Sequence, residues 1–243
     1  VQLQFCQLTS AGDRENNQDY MVHSINDDYA LFVVADGLGG HSDGEKASRF
    51  FCEAFIKLAD QYVNRIHHNP SKIMADWLDD SVYQMQQLFA GDSAARKAHT
   101  TCAILYLDKI LTLTAHCGDS RIYRINPHEI LWRTRDHSVP QQLVDEGEIT
   151  DAEMALHPEQ NQLTRSINAL RMPDAEIAEY PPMTEGETFI LCSDGFWETI
   201  KPDEFLELAQ LQNGKQELKK LARMSVLRAN GKSDNVTVQW VRM

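Results

Sequence analysis

Residues 29–35 (YALFVVA) are apolar without interruption, a pattern that predicts a strand buried on both faces. The period then changes to three and four. Ala47, Phe50, Phe51, Ala54, Phe55, Leu58, Ala59, Tyr62 and Val63 form one stripe of a long helix, and Ser42 with Glu45 fits a capping box at its start. Met74, Trp77, Leu78, Ser81, Val82, Met85 and Leu88 predict a second helix over 71–89. The short HHNPS linker makes the two antiparallel. Residues 101–107 and 110–117 flank Asp108-Lys109 as a hairpin, and 121–125 with 130–134 read as a second hairpin around NPHE. Residues 138–170 are polar and irregular, with a capping box at Thr150 to Glu153 opening a short helix that Pro158 ends. Strands at 188–193 and 236–241 enclose helical stretches near 203–212 and 215–229. The order is strands, helix pair, strands, helix pair, strand, which favours an α+β layered fold over a doubly wound parallel sheet.

Composition narrows the chemistry. The 243 residues carry 36 acids against 23 lysines and arginines, a net charge of −13. That surface repels nucleic acid and anionic lipid, and any phosphate-bearing substrate must approach against the same field. No apolar run is long enough to span a bilayer and no secretory leader is visible, so the expected location is cytoplasmic. Cys6, Cys52, Cys102, Cys117 and Cys192 form no CxxC pair and read as reduced core residues.

Four aspartates sit at strand edges: Asp36 and Asp194 each follow an apolar strand and precede a glycine, Asp119 follows the strand at 110–117, and Asp234 precedes the last strand. One Asp-Gly pair is ordinary turn chemistry. Four such carboxylates beside the most apolar strands suggest convergence, and converging carboxylates repel unless a cation joins them. An all-oxygen donor set, with no His or Cys at metal spacing, favours Mg²⁺ or Mn²⁺ over zinc. The glycine at 37 allows its carbonyl to approach the same ion. GLGGHSDG fails as a dinucleotide loop because Ser42 occupies the third glycine position and the next helix leads to another helix. His41 lies in this glycine-rich turn, and Arg14 and Asp19 in the polar stretch GDRENNQD.

GDRENNQD (12–19), VVADGLGGHSDGEKAS (33–48), HTTCAILYL (99–107), HCGDSRIYRI (116–125), RTRDHS (133–138), LCSDGFWETI (191–200) and SDNVTVQWV (233–241) occur in this order over nearly the whole chain. Together they resemble the metal-dependent protein Ser/Thr phosphatases, the type-2C or PPM family, in its short bacterial form. The resemblance implies one catalytic domain over 1–243. Its fold would be a four-layer α-β-β-α arrangement, a central antiparallel β-sandwich flanked by helix pairs, with a flap over about 138–166. It implies two Mn²⁺ or Mg²⁺ ions: Asp36 bridges them, the Gly37 carbonyl binds one, and Asp194 and Asp234 complete the other. Asp119 matches the position that, with Asp194, binds a third ion in bacterial members. Asp19 acts on a metal through water, Asn235 stands behind the ligands, and Arg14 matches the arginine that grips substrate phosphate.

The implied reaction is hydrolysis of phosphoserine and phosphothreonine on proteins by a metal-bridging hydroxide. The implied partners are phosphoproteins and an opposing eukaryotic-like kinase, and the expected state is a monomer. Two departures stand out. Leu38 occupies the general-acid histidine position of animal members, which leaves His41 or a water as proton donor. Gln18 replaces an animal glutamate ligand. An inactive scaffold, a two-metal phosphodiesterase, or a phosphatase dedicated to one regulator are the competing readings.

Overall fold

The structure, a computed structural model, describes residues 3–39, 42–93, 97–210 and 214–243. Its centre is the strand that the apolar run predicts, β3 (Tyr29–Leu38), and the chain explains why that strand is buried on both faces. Tyr29, Leu31, Val33 and Ala35 pack into a core shared with helices, while Ala30, Phe32 and Val34 pack into a second core between two sheets. The alternation of a strand sends successive side chains to opposite faces, and here both faces are covered.

β3 is flanked antiparallel by β2 (Asp19–Ile25) and β5 (Cys102–Asp108), and β5 continues to β6 (Thr112–Cys117) and β10 (Glu176–Tyr180). Short pairings of β4 (His99–Thr100) with the end of β3 and with β9 (Ile167–Asn168) extend this sheet. The second sheet runs β1 (Gln4–Ser10), β12 (Val236–Arg242), β11 (Thr188–Cys192), β7 (Arg121–Ile125), β8 (Ile130–Arg133), all antiparallel. Phe189, Leu191 and Val241 meet Phe32 and Leu105 between the sheets. Ile190, Cys192, Val238 and Trp240 face the other way, toward Phe205, Leu218 and Leu221. Three cores separate four layers, the α-β-β-α arrangement expected.

The helices follow the predicted stripes. α1 (Ser42–Lys57) is followed by α2 (Ala59–Val63), so the long helix is interrupted at Leu58. Ser42 opens α1, but its side chain, and the expected capping box with Glu45, lie outside what is described. α3 (Pro70–Leu88) returns antiparallel: Phe50 meets Phe89, the Phe55 ring stacks on Trp77 at 4.2 Å, and the Tyr62 hydroxyl donates to the Asp76 carbonyl. On the opposite side lie α5 (Asp194–Trp197), α6 (Pro202–Glu207) and α7 (Gly214–Arg228); α6 is shorter than the predicted 203–212 stretch. No helix among the described residues is long and apolar enough to cross a membrane. The described cysteines are all free, four of them buried.

Five strands escape the pattern reading, and two of them, β4 and β9, are only two residues long. β1, β2 and β10 are only half-buried and interleave polar residues, so their alternation is weak. The segment read as irregular also holds a helix, α4 (Val139–Glu146). Ser138 caps it by accepting from the Gln141 amide, Pro140 opens it, and Gly147 ends it at φ 76°, a left-handed position suited to glycine. Its base is closed where the amides of Val139 and Thr164 donate to the carbonyls of Gln162 and His137.

Candidate metal centre and active site

Asp36 does not end its strand as the sequence suggests. It lies within β3 as the direct cross-strand partner of Asp19 on β2, and the strand runs on to Leu38. Its backbone is clamped at the junction of β4 and β5. The Asp36 amide donates to Thr101 Oγ1 at 2.9 Å, and its carbonyl accepts from the Thr101 amide (2.8 Å) and Thr100 Oγ1 (2.9 Å). Asp194 opens α5 directly behind β11, with Oδ1 accepting from the Gly195 amide at 2.6 Å. Asp119 follows β6 after Gly118, and its carbonyl accepts from Trp197 Nε1 at 2.9 Å. Asp234 precedes β12 and accepts the Asn235 amide on Oδ1.

These carboxylates are electrostatic neighbours. Burial, and then the charges of Asp19, Asp194, Asp119 and Asp234, push the Asp36 carboxyl far above its usual range. Asp194 is raised by burial and by Asp119, Glu198, Asp234 and Asp19. Asp119 is raised to about 7, first by burial and then by Asp136. Asp19 is raised to about 6 by burial, although a hydrogen bond from Ser193 Oγ at 2.7 Å opposes this. One oxygen of Asp19 and one of Asp119, both buried, have no hydrogen-bond partner among the described residues. Buried carboxylate oxygens without donors are costly, and a cation offers what the protein does not.

Glu198 joins this group and escaped the sequence reading. Burial raises it to about 7, with Asp119 and Asp234 as the largest charge contributions. The legible signal was its spacing: it sits four residues after Asp194, and its amide bonds the Asp194 carbonyl at 3.0 Å, which places it one helical turn on.

The two Asp-Gly pairs have a packing cause distinct from the one expected. A Cβ on Gly37 would lie 2.0 Å from the Gly44 carbonyl oxygen and 2.7 Å from that of Gln18. A Cβ on Gly195 would lie 2.2 Å from the Asn235 carbonyl oxygen. The missing side chains are therefore filled by neighbouring backbone, which draws the α1 start and the Asp234 loop against the two aspartates.

Arg14 lies on the 11–18 loop, and its Nη2 donates to Asp234 Oδ2 at 2.7 Å. Asn235 ties that loop down: its Oδ1 accepts from the Gln18 amide, and its Nδ2 donates to the carbonyls of Ala11 and Asn16. The Ser233 amide adds a bond to Asp13 Oδ2. A cleft of about 410 Å³ opens here, with Asp13, Arg14, Asn16, Gln18, Asp234 and Asn235 in its wall. His41 lies outside the described residues.

Although no His or Cys stands at metal spacing in sequence, the fold brings His116, His137 and Glu176 within 4.8 Å of one another. Their hydrogen bonds assign them a bracing role. His116 Nε2 faces the Arg135 carbonyl at 2.8 Å and must donate. His137 Nδ1 accepts from the Gly118 amide, so its Nε2 carries the proton toward Glu176. The stacked imidazoles thus hold the loop before Asp119 against the base of the flap.

The family model for protein phosphatase 2C matches residues 9–230. A putative protein phosphatase 2C-type from Streptococcus pyogenes is 31% identical over 94% of this chain and 92% of its own. The crystal structure of the Mycobacterium tuberculosis serine/threonine phosphatase PstP superposes with a TM-score of 0.84 at 25% identity, covering 99% of this chain and 98% of that one. A PstP catalytic domain solved in complex with two manganese ions shares the fold at a TM-score of 0.81 and 24% identity, over 99% and 97% of the two chains. The chain belongs to the protein phosphatase 2C family and is an enzyme of that class.

Proposed function

We propose that this protein hydrolyses phosphoserine and phosphothreonine on proteins, in a single catalytic domain whose flap spans about 138–166. The observation that carries the reading is the convergence of Asp19, Asp36, Asp119, Asp194, Asp234 and Glu198, with orphaned oxygens on Asp19 and Asp119, at one end of the sandwich. That donor set fits hard divalent cations, Mn²⁺ or Mg²⁺. Asp36, the Gly37 carbonyl, Asp194 and Asp234 would hold two, and Asp119 with Asp194 a third. When bound, such ions supply positive charge for the phosphoryl oxygens and lower the pKa of water.

The chain's own residues then have defined tasks. Arg14, more than half exposed and held by one carboxylate, exchanges Asp234 for the substrate phosphate, where a guanidinium fits two oxygens at once. Asn235 keeps the Arg14 loop in place from behind. Asp19, pinned by Ser193, orients water at the metal site. His41, or a water in its stead, gives the proton to the departing serine or threonine oxygen. The opposing partner is a Ser/Thr kinase, and the protein acts as a cytoplasmic monomer.

Turnover of p-nitrophenyl phosphate and of a phosphothreonine peptide with Mn²⁺ tests this, with Asp36→Asn as the control. Activity in the parent and none in the variant is expected. A folded, cation-bound parent without turnover would mark an inactive scaffold, and faster cleavage of a phosphodiester would mark the nuclease-like reading.

A further inference from the structure

Residues 214–232 carry six of the chain's 23 lysines and arginines and only one of its 36 acids, in a protein of net charge −13. Arg228 is engaged with Glu204 and Lys220 with Glu217. Lys215, Lys219 and Arg223 recur at four-residue spacing on α7, followed by Leu227. Like charges at this spacing weaken a helix, so folding alone does not account for them. Among the described residues, no ion-pair partner approaches Lys219 or Arg223 within 4 Å.

The same stripe borders a groove. A channel of about 640 Å³ runs between α7 and β1, with Leu8, Ala222, Val226, Leu227 and Val236 forming its apolar wall and Lys219 and Arg223 its rim. Leu227 is 74% exposed, although it adjoins the half-buried Val226. Among the described residues β1 is the outer strand of its sheet, paired with β12 alone. The groove is joined to the reaction site through the chain: Ser10 and Val236 are among its lining residues, one residue from Ala11 and two from Asp234.

We propose that this groove docks an acidic segment of the phosphoprotein substrate carrying apolar anchor side chains, at a point remote from the phosphorylated residue; the inference rests on the phosphatase reading. Charge complementarity selects the occupant. Apolar side chains fill the channel, and Asp or Glu residues meet Lys219 and Arg223. A patch of opposite sign to the rest of the molecule also draws in substrates that the overall negative field would repel. Tethering raises the effective concentration of the phosphoresidue at the cleft without any new contact there.

The test uses three unphosphorylated fluorescent peptides, acidic-apolar, basic-apolar and acidic without apolar residues, on the full chain. Only the first should bind, and Lys219→Glu/Arg223→Glu and Leu227→Ser should each remove that binding while melting temperature is retained. This readout needs no turnover, so it stands apart from any failure of the phosphatase reading. For kinetics, a phosphothreonine peptide extended by the acidic-apolar sequence should have its KM lowered about tenfold or more relative to the unextended peptide. The charge-reversed variant should lose that advantage while its p-nitrophenyl phosphate turnover stays unchanged. Equal binding of the basic peptide, binding undiminished in both variants, or capture by phosphatidylserine vesicles in place of the peptide would each overturn the proposal.

Discussion

Asp19 and Asp36 stand directly opposite each other on β2 and β3, two carboxylates paired across adjacent antiparallel strands. Like charges in that position are destabilising, and burial increases the cost. The arrangement makes sense as a site that awaits positive charge, and it fixes how stability should respond to pH. Asp19, Asp119 and Glu198 titrate at about 6 to 7 in the folded protein, against ordinary values of 3.8 for aspartate and 4.5 for glutamate. Well below the ordinary values of 3.8 and 4.5 both folded and unfolded chains hold these protons, and the groups contribute no difference. As pH rises, the unfolded chain releases them first, so folded stability falls until the folded carboxyls have also ionised near pH 7. With chelator present, the melting temperature should therefore drop between pH 5 and pH 8. Mn²⁺ at pH 8 should restore it, and a flat profile would contradict the shared site.

Asp36→Asn and Asp194→Asn should separate stability from activity. Each replaces a buried carboxyl, whose ionisation its neighbours oppose, by a neutral amide, so the metal-free protein should melt at the same temperature or higher near pH 8. Turnover with Mn²⁺ should fall by about 10²-fold or more, as is usual when a charge-stabilising group is lost from a reaction site. Differential scanning fluorimetry and phosphate release on the same preparations check both halves.

Arg14 and Asn235 should differ in kind. Arg14→Ala should raise KM for phosphopeptide about 10- to 100-fold, the range expected for a lost charged hydrogen bond, with little change in melting temperature. Asn235→Ala strands the Gln18 amide and the carbonyls of Ala11 and Asn16, so it should cost about 1–3 kcal/mol of stability as well as activity. Steady-state kinetics beside urea unfolding distinguishes the two.

Arg121 offers a test behind Asp119. Its guanidinium makes two bonds to Asp136, at 2.7 and 2.6 Å, and lies 3.3 Å from the centre of the Trp197 ring, whose Nε1 holds the Asp119 carbonyl. Arg121→Met leaves buried Asp136 with only the longer contact to Arg133 at 3.9 Å, a loss of about 3–5 kcal/mol for the broken bidentate pair. The double change Arg121→Met/Asp136→Leu should recover much of that loss. If only the single variant unfolds early in urea, the pair is confirmed as mutually dependent.

Gly37→Ala should fail for steric reasons alone. The added carbon falls on the Gly44 carbonyl, which is backbone and cannot rotate away, so a loss at or above the 1–3 kcal/mol typical of overpacking is expected. Expression yield and melting temperature measure it.

The sequence made most of this architecture legible because burial on both faces writes unbroken apolar runs, as in YALFVVA, and amphipathic helices write stripes, as in α3. β1 was missed for the opposite reason. Phe5 points between the sheets and Leu8 toward the helices, but each side chain is only half-buried and neighbours a glutamine. The four aspartates were legible through their adjacency to strands and glycines. Glu198 was not, since nothing in FWETI distinguishes it from a solvated helix residue until Asp194 is known to sit one turn before it. Likewise the reason for Gly37 is a contact with Gly44 across a turn, and no local pattern encodes which backbone will occupy a vacated Cβ.

The stitching of the 11–18 loop to residues 233–235 has a consequence for biosynthesis. β12 lies between β1 and β11, so the first strand has no sheet to join until the last one has been translated. Until then the 11–18 loop lacks its Asn235 anchor and Arg14 lacks its Asp234 partner. However early the 11–18 loop emerges, the arrangement around Arg14 is thus complete only once residues 233–242 have been made and β12 has paired.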